Sequence, residues 1–357
     1  MRALVARAVG EPLRVEEIDL PSCGPGEVRV EIRAAGVCHS DLSMVDGTLA
    51  PPYPLVLGHE AAGLVTEVGD GVDRVAPGDH VVLNWAPPCR QCWYCGHGEP
   101  WLCERAGAPA TPRGRTPAGE PLHVTLGLGA LAEQVVVPQR AVIGVPAELP
   151  LEAAALLGCA VLTGVGAVRR TARVSPGDAV AVIGLGGVGL SVVSAARAAG
   201  AGQVLAVDVS PAKAALAAAT GATDFLLGDD TLNREIRTRT DGRGVDHAFE
   251  CVGRSATIRT AWRATRRGGQ VTVVGMGAKD DVVGLSALDI FHSARTLRSS
   301  VYGSSDPDRD VPELARAVLD GTLDLTPLIT DRTTLDGAPE AFARMARGEG
   351  ARTVVLP

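Results

Sequence analysis

The chain has 357 residues, a formal net charge of −7, 46% hydrophobic and 21% charged residues. That length supports two separate cores, and an acidic balance without a basic tract argues against a nucleic-acid partner. No stretch approaches the roughly 18 uninterrupted apolar residues of a membrane span, and the N-terminal "MRALVARAVGEP" lacks the apolar run and flanks of a signal peptide. These features favour the cytoplasm, where the eight cysteines stay reduced and serve metal ligation or catalysis more readily than disulfides. Aromatic residues are only 3%, so the cores must be built from Val, Ala, Leu and Ile.

The first third reads as short strands. "ALVARAV" and "LRVEEIDL" lead to "EVRVEIRAAGV", where Val28, Val30 and Ile32 alternate with polar neighbours. "AAGLVTEVG" and "DHVVLNW" follow, punctuated by Gly- and Pro-containing turns such as "APGD" at 76–79. This pattern predicts a β-rich, barrel-like domain. "LPLEAAALLGCAVLTGVGAVRRT" is apolar at helical spacing and predicts a connecting helix. Beyond it strand and helix patterns alternate. "AVAVIG", "QVLAVD", "DFLLG", "HAFECVG" and "QVTVVGMG" read as buried strands, and Ala-rich 190–199 and 212–219 as helices, which predicts a doubly wound parallel sheet. The terminal "ARTVVLP" is a strand that can return to the first domain.

The run "GLGGVGL" holds G-x-G-x-x-G at Gly184, Gly186 and Gly189, with Gly187 and Val188 between them. Glycine is abundant here, so the pattern alone is weak. It follows a strand, opens a helix, and precedes a second strand ending in Asp208, nineteen residues after Gly189. Those are the contexts of a dinucleotide-binding turn. Asp208 would accept from both ribose hydroxyls and repel a 2′-phosphate. Among the next five residues only Lys213 is basic, so NAD is favoured over NADP.

Cys89, Cys92, Cys95 and Cys103 are spaced C-x2-C-x2-C-x7-C. Four thiolates so placed can wrap one zinc in a closed, structural site, although three cysteines at x2 spacing also suit an iron–sulfur cluster. Cys38 in "GVCHSD", His59 in "VLGHEAAG" and Cys159 in "LLGCAVLTG" each have an ordinary reading as a packing residue. Together two Cys and one His make a catalytic zinc set with a fourth place free, and Glu60 beside His59 is a candidate transient ligand. Spacing alone cannot bring these three together.

Taken in order, "GVCHSD", "GHEAAG", the four-cysteine lobe, "GCAVLTG", "GLGGVGL", "FECVG" and the terminal "RTVV" resemble the zinc-dependent alcohol dehydrogenases of the medium-chain dehydrogenase/reductase superfamily, over essentially the whole chain. The resemblance implies an α/β protein: a GroES-like catalytic domain at 1–158 and 298–357, with a Rossmann NAD-binding domain at 159–297. It implies catalytic zinc on Cys38, His59 and Cys159, structural zinc on the lobe, and NAD as cofactor. Asp41 matches the carboxylate that orients the zinc-bound imidazole, and Ser40 the hydroxyl that takes the alcohol proton. His39, Thr163 and Arg352 match cofactor contacts, and Trp85 a wall of the substrate pocket. Cys23 and Cys251 are left as packing residues. Many relatives carry a histidine five residues after the first ligand cysteine; here Ser43 stands there, and the resemblance implies that water completes the proton relay. The implied reaction is hydride transfer between an alcohol or aldehyde and NAD in a homodimer, with a tetramer as the other family arrangement. A thiol-dependent formaldehyde dehydrogenase and a dedicated aldehyde reductase share these motifs. A non-catalytic zinc-ribbon or NAD-sensing module would hold one zinc rather than two.

Overall fold

A computed structural model describes residues 1–106 and 112–357, so part of the long loop expected at 104–130 lies outside the described residues. The chain divides into two compact units, Met1–Leu162 with Asp306–Pro357, and Thr163–Ser305.

The first unit is built on strands, as its alternation predicts. In Glu27–Gly36 the side chains of Val28, Val30 and Ile32 are buried while Arg29 and Glu31 are only partly so. This strand is the spine of a seven-stranded sheet. It pairs antiparallel with Ala61–Val68, Gln134–Pro138 and the C-terminal Arg352–Val355, the last in register Val354 to Gly36. The chain end therefore completes the sheet that carries the first ligand cysteine. A second sheet joins Arg14–Glu17, Arg2–Ala6, Leu55–Val56 and His123–Val124. The core of this unit is Val, Leu, Ile and Ala with Met44 and a single buried Phe, Phe342, as scarce aromatics require.

The second unit is a six-stranded sheet, parallel throughout. Taken as they occur along the chain, the strands Ala179–Ile183, Gln203–Asp208, Asp224–Leu227, Val245–Glu250, Thr265–Val273 and Thr296–Ser299 lie in the spatial order third, second, first, fourth, fifth, sixth. That is the doubly wound order, with its switch point beside the first strand. The sixth strand was not evident from its polar sequence, "TLRS". Because it belongs to this sheet, the chain leaves the unit at Ser305 rather than at the expected 297.

The apolar segment 149–171 is not one helix. It forms Leu151–Leu157 and Ala160–Gly166, with Gly158 and Cys159 at the break and a wider-wound turn, Ala167–Ala172, at the end. Two contacts explain the break. A Cβ on Gly158 would lie 2.5 Å from the Leu83 carbonyl oxygen, so only glycine lets the backbones approach. The Ala160 amide, opening the second helix, donates to Glu60 Oε2 at 3.1 Å. The interruption sets Cys159 at a helix start. Among the described residues, no single helix is long and apolar enough to cross a membrane.

Candidate active site

Cys38 precedes the short helix His39–Val45, which puts Asp41 in its first turn, fully buried. His59 and Glu60 lie just before the strand Ala61–Val68, and Cys159 at the helix break. Three distant stretches thus meet. The donor atoms of Cys38, His59 and Cys159 all lie within 4.8 Å of one another, and all three residues are buried. His59 Nε2 is 3.4 Å from Cys159 Sγ. On the far side of the ring, Nδ1 lies 3.0 Å from Asp41 Oδ2, while Asp41 Oδ1 accepts from the Gly58 amide at 2.9 Å. A carboxylate there keeps the proton on Nδ1 and turns the Nε2 lone pair toward the thiols.

The three groups perturb one another strongly. Cys38 is held well below the usual thiol range, first by the hydrogen bond from Cys159, and Cys159 is correspondingly pushed up. Burial alone would lower His59, but Asp41 and Cys38 raise it. Two thiols and an imidazole, buried with no disulfide among them, are a soft donor set that fits zinc and leaves a tetrahedral shell one ligand short.

Glu60 is not among the converging donors. Its Oε1 lies 3.2 Å from Arg352 Nε, its Oε2 accepts from Arg352 Nη2 at 3.4 Å, and burial pushes its carboxyl up to about 7. The carboxylate backs the site instead of facing it. Arg352, expected at the cofactor, is likewise buried; it donates to the Val37 carbonyl at 3.2 Å and to Cys38 Sγ at 3.4 Å. Its position follows from the C-terminal strand, where the Val37 amide donates to the Thr353 carbonyl. An arginine six residues after the helix Ala338–Ala346 gives no hint of this contact in the sequence. Ser40 is half-buried with its Oγ 4.0 Å from Cys38 Sγ, and His39 is exposed. The Trp85 ring stands edge-on to His59, centroids 6.5 Å apart.

In the four-cysteine lobe the sulfurs of Cys89, Cys92, Cys95 and Cys103 also lie within 4.8 Å of one another. Backbone amides aim at them. Gln91 and Cys92 donate to Cys89 Sγ at 3.4 and 3.3 Å, and Cys89 and Arg105 to Cys103 Sγ at 3.2 and 3.4 Å. Those amides pull Cys89 down to about 6, while burial pushes Cys95 up to about 12. Four sulfurs close a tetrahedral zinc shell.

In the second unit, Gly184 turns at φ 92°, and a Cβ on Gly189 would lie 1.8 Å from the Gly184 carbonyl oxygen. At Gly186 a Cβ would meet nothing within 4 Å, and no side chain caps the helix Gly187–Ala198 that follows. A tight turn, close helix–strand packing and open amides are what a pyrophosphate needs. Asp208 accepts from the Leu185 amide at 2.8 Å and the Ser210 amide at 2.9 Å, which fixes its carboxylate at the strand end with lone pairs to spare. Thr163 and Lys213 are buried; burial lowers Lys213 while Asp208 opposes that shift.

The model of the alcohol dehydrogenase GroES-like domain matches residues 24–147, and that of the zinc-binding dehydrogenase matches 187–320. This chain belongs to the zinc-dependent alcohol dehydrogenases of the medium-chain dehydrogenase/reductase superfamily. It is 37% identical, over 99% of both chains, to an S-(hydroxymethyl)glutathione dehydrogenase of Escherichia coli O1:K1. Among solved structures, an alcohol dehydrogenase zinc-binding domain protein from Burkholderia ambifaria superposes with a TM-score of 0.93 at 34% identity, covering 100% of this chain and 98% of that one. A benzyl alcohol dehydrogenase from Acinetobacter calcoaceticus gives 0.91 at 27% identity, covering 99% and 98%. Family membership makes the chain a zinc-dependent oxidoreductase with a GroES-like and a Rossmann domain.

Proposed function

We propose that the enzyme interconverts an alcohol and its aldehyde or ketone, with the carbonyl-forming direction reducing NAD+. The observation that carries this is the buried Cys38–His59–Cys159 set, three donors where a structural site has four. Zinc held by these residues would supply the Lewis acidity that lowers the pKa of a hydroxyl, and the glycine turn would hold the NAD that serves as hydride acceptor. The chain's own residues do the positioning. Asp41 orients His59, and Ser40, two residues from Cys38, takes the alcohol proton. With Ser43 in place of a relay histidine, that proton continues through water or the exposed His39. Trp85 walls the substrate side of His59. The Gly184–Gly189 turn and Asp208 hold the pyrophosphate and adenosine ribose, with Thr163 at the nicotinamide; Arg352 and Glu60 support the ligands from behind. The lobe holds structural zinc. NADH absorbance followed across primary, aromatic and secondary alcohols, with chelator controls, is the test. No alcohol-dependent NADH from any of the three classes would overturn the reading.

The likeness to an S-(hydroxymethyl)glutathione dehydrogenase supports a second reading, a hydroxymethyl thioether as substrate. Formaldehyde assayed with and without glutathione or mycothiol separates the two. Aldehyde-dependent NADH oxidation far exceeding the reverse rate would favour a dedicated reductase.

The edge of the six-stranded sheet supports a homodimer. Thr296–Ser299 is exposed along its whole length, and Phe291, Leu297 and Val301 in the same stretch are exposed apolar side chains. An unpaired parallel-sheet edge of this kind calls for a partner. Sedimentation at twice the chain mass is expected, and four times the mass would mark the tetramer. A reducing, cytoplasmic location would keep these thiols available as zinc ligands.

A further inference from the structure

Arg90 lies between two lobe ligands, Cys89 and Cys92, with φ at 62°, a left-handed conformation that residues bearing a Cβ seldom adopt. This turn is what aims the next two amides, Gln91 and Cys92, back at Cys89 Sγ. Its side chain is held just as firmly. Nη1 donates to Asp306 Oδ2 at 2.8 Å and Nη2 to Asp306 Oδ1 at 2.6 Å, a bidentate fork; Nη2 also reaches Asp308 Oδ2 at 2.5 Å. Arg74 donates to the other oxygen of Asp308 at 2.6 Å. Both aspartates belong to the start of the helix Pro307–Leu319, with Asp306 at its N-cap and Asp308 in its first turn.

An isolated surface ion pair contributes little. Here a planar fork between two carboxylates coincides, on one residue, with a disfavoured backbone conformation inside a ligand loop. Release of the guanidinium would let Arg90 relax to φ below zero, and the two amides would swing off the sulfur. We propose that Arg90 is a positioning residue for the lobe's metal: the aspartates at 306 and 308, more than 200 positions along the chain, hold the Cys89–Cys92 turn in its zinc-ready shape. This rests on the lobe holding structural zinc.

The test titrates the zinc-loaded enzyme with a graded chelator and reads the lobe directly, by the rate of alkylation of the Cys89–Cys103 peptide in mass spectrometry, beside total zinc per chain. The double variant Asp306→Asn/Asp308→Asn keeps the N-cap and the Arg90 charge but loses the ionic fork. It should surrender lobe zinc at about 10–100-fold lower chelator concentration, the range typical of groups that support metal ligands. Arg90→Ala should do the same, and Arg90→Gly, which tolerates positive φ, should recover part of the loss. Wild-type zinc retention in the Asn double variant overturns the proposal, since loss confined to Arg90→Ala would mean charge alone is at work. Equal loss in Arg90→Gly and Arg90→Ala also overturns it, because backbone shape would then be irrelevant. A wild-type chain with one zinc, its lobe thiols alkylated at once, would remove the lobe's metal and the clamp's role with it.

Discussion

The lobe takes its four ligands from fifteen consecutive residues, whereas in the buried triad His59 and Cys159 alone are 100 residues apart. In the lobe, two of the four cysteines are only partly buried and the sulfurs are supported by neighbouring backbone amides. In the triad every ligand is buried, and its supports are side chains from other elements, Asp41 behind His59 and Arg352 behind Cys38. A local site is specified by spacing and closes around its ion. A non-local one exists only once the sheets and the broken helix have formed, and its open place is protected by the packing around it.

The sharpest way to break that contrast is Cys38→Ser. Turnover should fall to the level of the blank while circular dichroism and the lobe's zinc remain, leaving one zinc per chain; full activity would remove the triad from the chemistry. Cys95→Ser should do the converse, lowering the melting temperature and lobe zinc while the molecules still folded keep most of their turnover. Equal loss of activity in both variants would erase the division of labour. Asp41→Asn should weaken zinc retention at the triad by about 10–100-fold, measured by activity after dialysis against chelator, with the lobe unaffected. The smallest effect is expected at the cofactor. Asp208→Ala removes hydrogen bonds to a ribose, so KM for NAD+ should rise about tenfold with kcat little changed. A change in kcat alone would place Asp208 elsewhere in the mechanism.

Much of this was readable beforehand, for reasons that differ by residue. Val28, Val30 and Ile32 announced their strand because one side of the sheet is buried and the period is two. Gly184, Gly186 and Gly189 were readable because a tight strand-to-helix turn is local. The break at Gly158 was not, since the close carbonyl belongs to Leu83, far away in sequence. Nor were the turning of Glu60 toward Arg352 and the strand Thr296–Ser299, whose alternation is masked by its exposed, polar edge position. Arg90 with Asp306 and Asp308 carried no signal at all; a charge pair separated by 216 positions looks like ordinary surface.

The strand Arg352–Val355 is synthesised after the whole of the second unit, and it lies against the segment that bears Cys38. The nucleotide-binding unit is one uninterrupted stretch and can fold while translation continues. The catalytic unit must wait until this strand has been made, with its ligand cysteines unprotected until then. A nascent chain stalled before residue 352 should therefore bind dinucleotide but stay vulnerable to thiol oxidation, so that quality control has a chemical mark by which to recognise unfinished copies.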